Sequence, residues 1–192
     1  MTLEAEKRAL RAAARAARRV AHAADDGRAG ERAAAHFLAR FAPPSGTEVS
    51  AYWAMGEEMD ARPLMAALHA RFMRVALPAV HARGRPLVFR LWRPGDVLAA
   101  GALGIGEPRA DAPMIEPACL VVPLLAFDRG GFRLGQGGGY YDRTLAALRA
   151  KGRILAIGLA YAAQEVAAVP HGATDEPLDG IVTEREAIEA TR

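Results

Sequence analysis

The pattern of hydrophobic positions changes early in the chain. Residues 3–23 are rich in alanine, the strongest helix former, and residues 31–41 carry apolar side chains at helical spacing, so both segments predict helices. Beyond residue 47, short apolar runs alternate with amphipathic segments. The run at residues 118–127 (ACLVVPLLAF) is apolar throughout, which is typical of a strand buried on both faces of a sheet.

The later segments predict strands and helices in alternation. One helix is expected to begin near Pro63, because proline is tolerated in a first turn, and to carry Leu64, Leu68 and Phe72 on its apolar face. Strands are expected at residues 48–53, 75–80, 87–92, 118–127, 153–161 and 181–183, a loop at 94–117, and helices at 141–151 and 184–190. This order predicts one α/β domain over residues 1–192, with helices flanking a mostly parallel central sheet.

The amino-acid composition and charge argue against several classes of protein and of binding partner. The net charge of +3 comes from 25 basic and 22 acidic residues, a balance too mild to require a nucleic-acid partner. No apolar run is long enough to cross a bilayer, and the N-terminus lacks the apolar segment of a secretory signal. The lone Cys119 lies among apolar residues and suits a reducing compartment as a buried thiol. We therefore expect a cytoplasmic enzyme, a monomer, that binds neither membrane nor nucleic acid.

The first helix carries a row of basic side chains. Lys7, Arg11, Arg15 and Arg18 follow at spacings of four, four and three, so they share one helix face. The ordinary interpretation is a solvated face, and a sharper one is that an end of this row reaches a bound polyanion. An RNA-binding module built on helix residues 7–19 is a further alternative, although no aromatic residues interleave the basic ones there.

Residues 127–143 (FDRGGFRLGQGGGYYDR) carry the strongest chemical signal. They follow a buried strand and open a helix, and their glycines leave backbone N–H groups accessible to an anion beside a positive helix N-terminus. Arg133 offers a fork suited to phosphate, and Asp142 in the first helical turn could hold Mg²⁺ beside it. Neither standard nucleotide motif fits, because the loop has no lysine and Tyr140 occupies a position where a dinucleotide fingerprint requires glycine. From these residues alone, a phosphate loop and a tightly packed turn remain equal alternatives.

The ordered run from PLLAFD through RLGQGGGYYDR resembles the signature of the 5-formyltetrahydrofolate cyclo-ligase family. Further segments resemble the family in the same order along the chain: residues 7–11 (KRALR), 52–58 (YWAMGEE), 104–108 (GIGEP) and 170–184, which contain Asp175. The resemblance therefore covers nearly the whole chain. It implies a fold of the NagB/RpiA/CoA-transferase-like group.

The resemblance also implies a reaction and a site. ATP would phosphorylate the formyl oxygen of 5-formyltetrahydrofolate, and N10 would then attack to give 5,10-methenyltetrahydrofolate, with ADP and phosphate released. By this resemblance ATP binds Lys7, Arg11, Arg133, Leu134, Gly135, Gln136, Gly137, Gly138, Gly139, Tyr140 and Tyr141. The folate binds Trp53, Glu58 and Tyr141, and Mg²⁺ binds Asp142 and Asp175.

Two positions depart from the family pattern. Some members carry lysine where this chain has Gly138, and many carry histidine where it has Thr174. The first departure removes a charge from the expected phosphate site. The second removes a proton-transfer group if the histidine has that role, and little if the histidine only shapes the loop. A related enzyme on the same scaffold, acting on a sugar phosphate or another substrate, therefore remains an alternative.

Overall fold

A computed structural model of the chain describes residues 2–102 and 104–191. Its helices are α1 (Leu3–Ala23), α2 (Ala29–Arg40), α3 (Arg62–Ala70) and α4 (Tyr140–Arg149), with a 3₁₀ turn at Ala162–Gln164. Its strands are β1 (Glu48–Ser50), β2 (Arg74–Ala79), β3 (Val88–Leu91), β4 (Ala99–Ala100), β5 (Gly106–Glu107), β6 (Met114–Ile115), β7 (Cys119–Pro123), β8 (Ala126–Phe127), β9 (Arg133–Leu134), β10 (Leu155–Leu159), β11 (Gly180–Val182) and β12 (Ala187–Glu189).

In the described residues, eight strands form one sheet in the order β12-β11-β10-β7-β1-β2-β3-β6. The central strands β11, β10, β7, β1 and β2 run parallel to one another. The strands at the two edges pair antiparallel. The predicted mostly parallel central sheet is therefore confirmed.

Helices cover both faces of this sheet. Alternate residues of one strand face opposite layers: Val121 packs with α2 and α3, whereas Leu120 and Val122 pack with α4. Cys119 is also buried, and burial raises the pKa of its thiol to about 12, as expected for an unreactive cysteine. The layers confirm the predicted α/β fold.

The predicted strand at residues 118–127 is wrong in its extent. Strand β7 ends at Pro123, and the chain then leaves the sheet to pair β8 with β9. The amide of Gln164 donates to the carbonyls of Leu124 and Leu125, both at 2.9 Å, so these buried groups remain satisfied outside the sheet. Helix α1 packs Ala14 against this hairpin, in a separate apolar cluster. The turn brings the glycine-rich loop and α1 together.

Two other predictions are wrong. Residues 184–190 do not form a helix, because Thr183 accepts the N–H groups of Arg185 and Glu186 in a turn and β12 then pairs with β11, burying Ile188. Phe72 does not lie on the apolar face of α3, because that helix ends at Ala70. Phe72 has a positive φ of 61° and is 84% exposed.

The segment at residues 94–117 is less irregular than predicted. It contains the short β4–β5 hairpin and strand β6, which pairs with β3 at the sheet edge. Throughout the described ranges, every helix is either too short or too polar to cross a bilayer.

Candidate active site

A cavity of about 760 Å³ opens where parallel strands end. Residues that follow the carboxyl ends of β1, β2 and β7 line it, among them Trp53, Val80 and Leu124. Ligands of open α/β sheets bind at this edge. All the residues predicted to bind ATP, folate or Mg²⁺ lie on the wall of this cavity.

The glycine-rich loop forms one side of the cavity. Gly137 and Gly139 have φ angles of 99° and 62°, a region that residues with a Cβ rarely adopt. Gly139 is also the N-cap of α4, and no side chain caps this helix start. The first N–H groups of α4 are therefore left to solvent or to a ligand, beside the positive end of the helix dipole.

Three basic side chains surround this loop. Arg133 has a side chain only 5% exposed, and its Nη2 donates to Asp142 Oδ1 at 2.8 Å. Burial lowers the pKa of Arg133, although the Asp142 carboxylate opposes the shift. Arg11 Nε donates to the Gly135 carbonyl at 3.0 Å, and the buried Lys7 lies 2.6 Å from Asp175. The fold thus gathers positive charge from α1 and β9 at the loop.

The basic row on α1 is not a solvated face. Lys7 and Arg18 are both buried, and Arg15, which is exposed, donates to Gln136 in the loop at 2.7 Å. Arg18 lies 3.7 Å from Glu58. The solvated interpretation is therefore wrong for Lys7 and Arg18, whereas Arg15 is exposed and contacts the loop.

Two carboxylates are available for a cation. Asp142 and Asp175 both lie on the cavity wall, and both act electrostatically on Arg133. Burial tends to raise the pKa of Asp175, but bonds from Lys7 and the Gly172 N–H outweigh it and lower that pKa below its ordinary value. Among the residues that the structure describes, no cluster of three or more His, Cys, Asp or Glu side chains is suited to a metal. Two carboxylates do suit Mg²⁺ when phosphates and water complete its shell, whereas a cage made only of protein ligands does not fit.

Another part of the cavity wall, the aromatic side, carries Trp53 and two neighbouring acids, Glu57 and Glu58. Trp53 packs edge-on against Trp92 with ring centres 5.9 Å apart, and Tyr141 from the first turn of α4 also lines the cavity. The Glu58 side chain is 15% exposed. Burial raises the pKa of Glu58, against the opposing effects of the Met55 N–H, which donates to it at 3.0 Å, and of Arg18. Apolar surface with one placed carboxylate suits a flat heterocycle that carries N–H donors.

The profile of the 5-formyltetrahydrofolate cyclo-ligase family matches residues 3–184. The chain belongs to this family. The 5-formyltetrahydrofolate cyclo-ligase of Escherichia coli (strain K12) is 35% identical over 140 residues, which cover 70% of this chain and 76% of that protein. The enzyme of the same description from Mycolicibacterium smegmatis is 36% identical over 157 residues, covering 77% of this chain and 79% of that protein.

Solved structures agree with this membership. The Aquifex aeolicus 5,10-methenyltetrahydrofolate synthetase superposes with a TM-score of 0.76 at 26% identity, covering 97% of this chain and 93% of the other. The Mycoplasma pneumoniae 5,10-methenyltetrahydrofolate synthetase gives a TM-score of 0.70 at 21% identity, over 93% of this chain and 99% of that one, and supports the fold. The resemblance inferred from the motifs is confirmed.

Both departures from the cyclo-ligase pattern lie on the cavity wall. Gly138 lies between two glycines with positive φ, and its carbonyl accepts a bond from Arg143 at 2.6 Å. Arg143 also lies 5.3 Å from the centre of the Tyr140 ring. Thr174 neighbours Asp175 on the same wall. A cation from the next helical turn therefore lies close to the position where some cyclo-ligases carry lysine.

The site residues predicted from the family resemblance omitted two basic residues of the cavity, Arg18 and Arg143. A signal for Arg18 was present, because it lies seven residues after Arg11 and two helical turns bring it onto the same face. Arg143 ends the signature segment, four residues after Gly139, and so was also open to prediction. From the sequence alone, neither arginine could be distinguished from the many arginines on the surface, because the burial of the two side chains was not known.

Proposed function

We propose that the protein converts 5-formyltetrahydrofolate and ATP to 5,10-methenyltetrahydrofolate, ADP and phosphate. The observation that carries the proposal is that one cavity is lined both by a phosphate-type loop and by aromatic side chains with a half-buried acid, Glu58. A reaction that transfers a phosphoryl group onto a heterocycle's substituent requires both parts within one enclosure. Membership of the cyclo-ligase family supports the same reaction.

The loop side would hold the nucleotide. Backbone N–H groups of residues 135–139 and the start of α4 would bind phosphate oxygens, with Arg133, Arg11 and Lys7 supplying positive charge. Asp142 and Asp175 would hold Mg²⁺ together with those phosphates. When bound, the ion would offset charge on the transferring group. Lys7 and Arg133 now pair with these same aspartates, so ATP binding would exchange carboxylate partners for phosphate oxygens.

The aromatic side would hold the folate ring. Glu58 in its ionised form accepts hydrogen bonds and so would bind neighbouring N–H groups of the pterin. Trp53 and Tyr141 would offer flat apolar surface to the ring. These contacts would point the formyl oxygen toward the γ-phosphate on the loop side.

Catalysis of this reaction would depend mainly on positioning the two substrates and on stabilising the charge that develops on the phosphate oxygens. The formyl oxygen attacks the γ-phosphorus and ADP leaves, which turns a poor leaving group into phosphate. N10 attacks the activated carbon and gives up its proton to water, and the ring closes as the bond from that carbon to the phosphate oxygen breaks and phosphate departs. The cationic groups at the loop would stabilise the charge that moves onto phosphate oxygens, and the enclosure would limit hydrolysis of the intermediate.

The alternatives receive less support. The RNA-binding interpretation needs an accessible basic face, and Lys7 and Arg18 are buried against the cavity. A related enzyme acting on a sugar phosphate would not need the half-buried Glu58 beside aromatic side chains. A cytoplasmic location and a monomeric state remain proposals.

The test is a spectroscopic assay of the purified protein. With 5-formyltetrahydrofolate, ATP and Mg²⁺ present, we expect the near-ultraviolet absorbance of the methenyl product to grow, and to stay flat when ATP is omitted. A folded protein that binds ATP but gives no such band would have another substrate.

A further inference from the structure

Arg18 is a buried cation with unused hydrogen-bonding capacity. It lies in the middle of α1 and on the cavity wall, and only 6% of the residue is exposed. Its Nε and Nη1 are buried without a hydrogen-bond partner. Such groups are costly to leave unpaired, so a buried arginine of this kind calls for an explanation.

Two acids face this guanidinium without bonding to it. Arg18 Nη1 lies 3.7 Å from Glu58 Oε1, and Nη2 lies 3.8 Å from Glu57 Oε2. These distances allow electrostatic attraction but exceed those of hydrogen bonds. The carboxylate of Glu58 is instead held by the Met55 N–H at 3.0 Å. The bond that holds the Glu58 carboxylate therefore does not involve Arg18, and Arg18 acts on it only through its charge.

We propose that Arg18 is a positioning residue that keeps Glu58 ionised inside the cavity, so that Glu58 can accept hydrogen bonds from a bound pterin. The proposal rests on the proposed function, because it assigns to Glu58 the folate contact. A protonated Glu58 would present a donor to ring N–H donors and would lose the paired contact. A fixed positive charge less than 4 Å away disfavours that protonation in a site where burial favours it.

The other groups around Glu58 do not replace Arg18. Tyr52 and Tyr141 are neutral at ordinary pH, since burial first and the Glu58 charge second raise the pKa of each phenol. Glu57 is an acid, and a neighbouring negative charge raises the pKa of a carboxyl group instead of lowering it. Among the described residues, Arg18 is the cation that lowers the pKa of Glu58.

The experiment measures affinity for 5-formyltetrahydrofolate without ATP, by titration calorimetry from pH 5 to pH 8.5. The variants are Arg18→Met, Arg18→Lys and the matched control Arg19→Met, which removes an exposed arginine that pairs with Glu57 and does not line the cavity. Removing Arg18 raises the pKa of Glu58, so binding must fail at higher pH than in the wild type. The acidic limb is the pH range in which affinity falls as Glu58 becomes protonated. In Arg18→Met we expect this limb to shift upward by about one pH unit. Binding should then be about tenfold weaker than in the wild type at any pH below the Glu58 pKa of both proteins.

Above pH 8 the affinities of Arg18→Met and the wild type should converge. Arg18→Lys should restore the wild-type limb, and Arg19→Met should leave it in place. An Arg18→Met limb identical to the wild type, or a loss of affinity equal at every pH, would overturn the role of Arg18 and leave the proposed function standing. A wild-type protein that binds no 5-formyltetrahydrofolate at any pH would instead reject the proposed function itself.

Discussion

The two sides of the cavity manage charge differently. On the loop side, the basic groups are already bonded: Lys7 lies 2.6 Å from Asp175, and Arg133 lies 2.8 Å from Asp142. On the aromatic side, Arg18 and Glu58 approach only to 3.7 Å and form no hydrogen bond with each other. On the loop side the carboxylates are hydrogen-bonded to basic side chains, whereas on the aromatic side Glu58 is bonded to a backbone N–H and not to Arg18.

This difference indicates how each side would respond to a ligand. A polyanion that enters the loop side must replace existing carboxylate partners, so the basic groups there act together and the loss of one disturbs the others. A neutral heterocycle on the aromatic side would meet Glu58, whose bond to the Met55 N–H can persist. Substitutions on the loop side should therefore reduce turnover most, and those on the aromatic side should mainly weaken folate binding.

The largest effect is expected from Arg133→Ala. This change removes the guanidinium group of Arg133 from the phosphate site and leaves Asp142 without its basic partner. We therefore expect kcat to fall at least about 100-fold, which is the effect of losing one preorganised donor that stabilises charge in the transition state. Folate binding without ATP should stay within about threefold of the wild type. The measurement is initial rate at saturating ATP, together with circular dichroism to verify folding. Arg129→Ala is the matched control, since Arg129 is half exposed and pairs with Glu165 and Glu186 away from the cavity.

Glu58→Gln should produce the opposite pattern. Glutamine keeps an acceptor for the Met55 N–H but removes the charge, so KM for 5-formyltetrahydrofolate should rise about 10- to 100-fold, equivalent to roughly 1.5–3 kcal/mol for charged hydrogen bonds. KM for ATP should not change. If instead ATP affinity fell while folate affinity held, the assignment of the two sides would have to be reversed.

A smaller effect is expected from Asp142→Asn. The change halves the carboxylates available to Mg²⁺, so the Mg²⁺ concentration for half-maximal activity should rise about tenfold, or roughly 1.4 kcal/mol. Activity should recover at high Mg²⁺. Asp111→Asn, which alters an exposed acid paired with Arg109 and not on the cavity wall, should behave as wild type. An unchanged Mg²⁺ requirement in Asp142→Asn would remove Asp142 from the proposed metal site.

The sequence predicted the parts of this molecule whose signals are local. The apolar runs located the central strands because a strand buried on both faces must be apolar throughout. The residues from Arg133 to Asp142 were recognisable because their order resembles the family signature, whereas their composition alone left a phosphate loop and a packed turn as equal alternatives. All of them lie on the cavity wall.

The failures share a dependence on contacts between distant residues. Strand β7 ends at Pro123 because the next carbonyls are satisfied by Gln164, about forty positions later. The C-terminal segment forms a strand because Ile188 pairs opposite Ile181, although its composition allowed a helix. The burial of Arg18 likewise arises only when α1 lies along the cavity. Helical spacing placed Arg18 on the basic face of α1, but no local pattern indicated its burial or the other two contacts.

The smallest effect is expected from Gly138→Lys, which adds to the loop side the charge that some family members carry there. The glycine has no positive φ, and a Cβ would approach only the Tyr140 ring, at 2.9 Å, so a small movement of that side chain admits it. An exposed extra cation is worth up to about 1 kcal/mol, so KM for ATP should fall about two- to fivefold. Gly138→Ala, which adds the Cβ without the charge, separates the two causes in the same steady-state assay. If Arg143, which bonds the Gly138 carbonyl, already supplies the charge, KM will not fall, and Arg143→Met should then raise it.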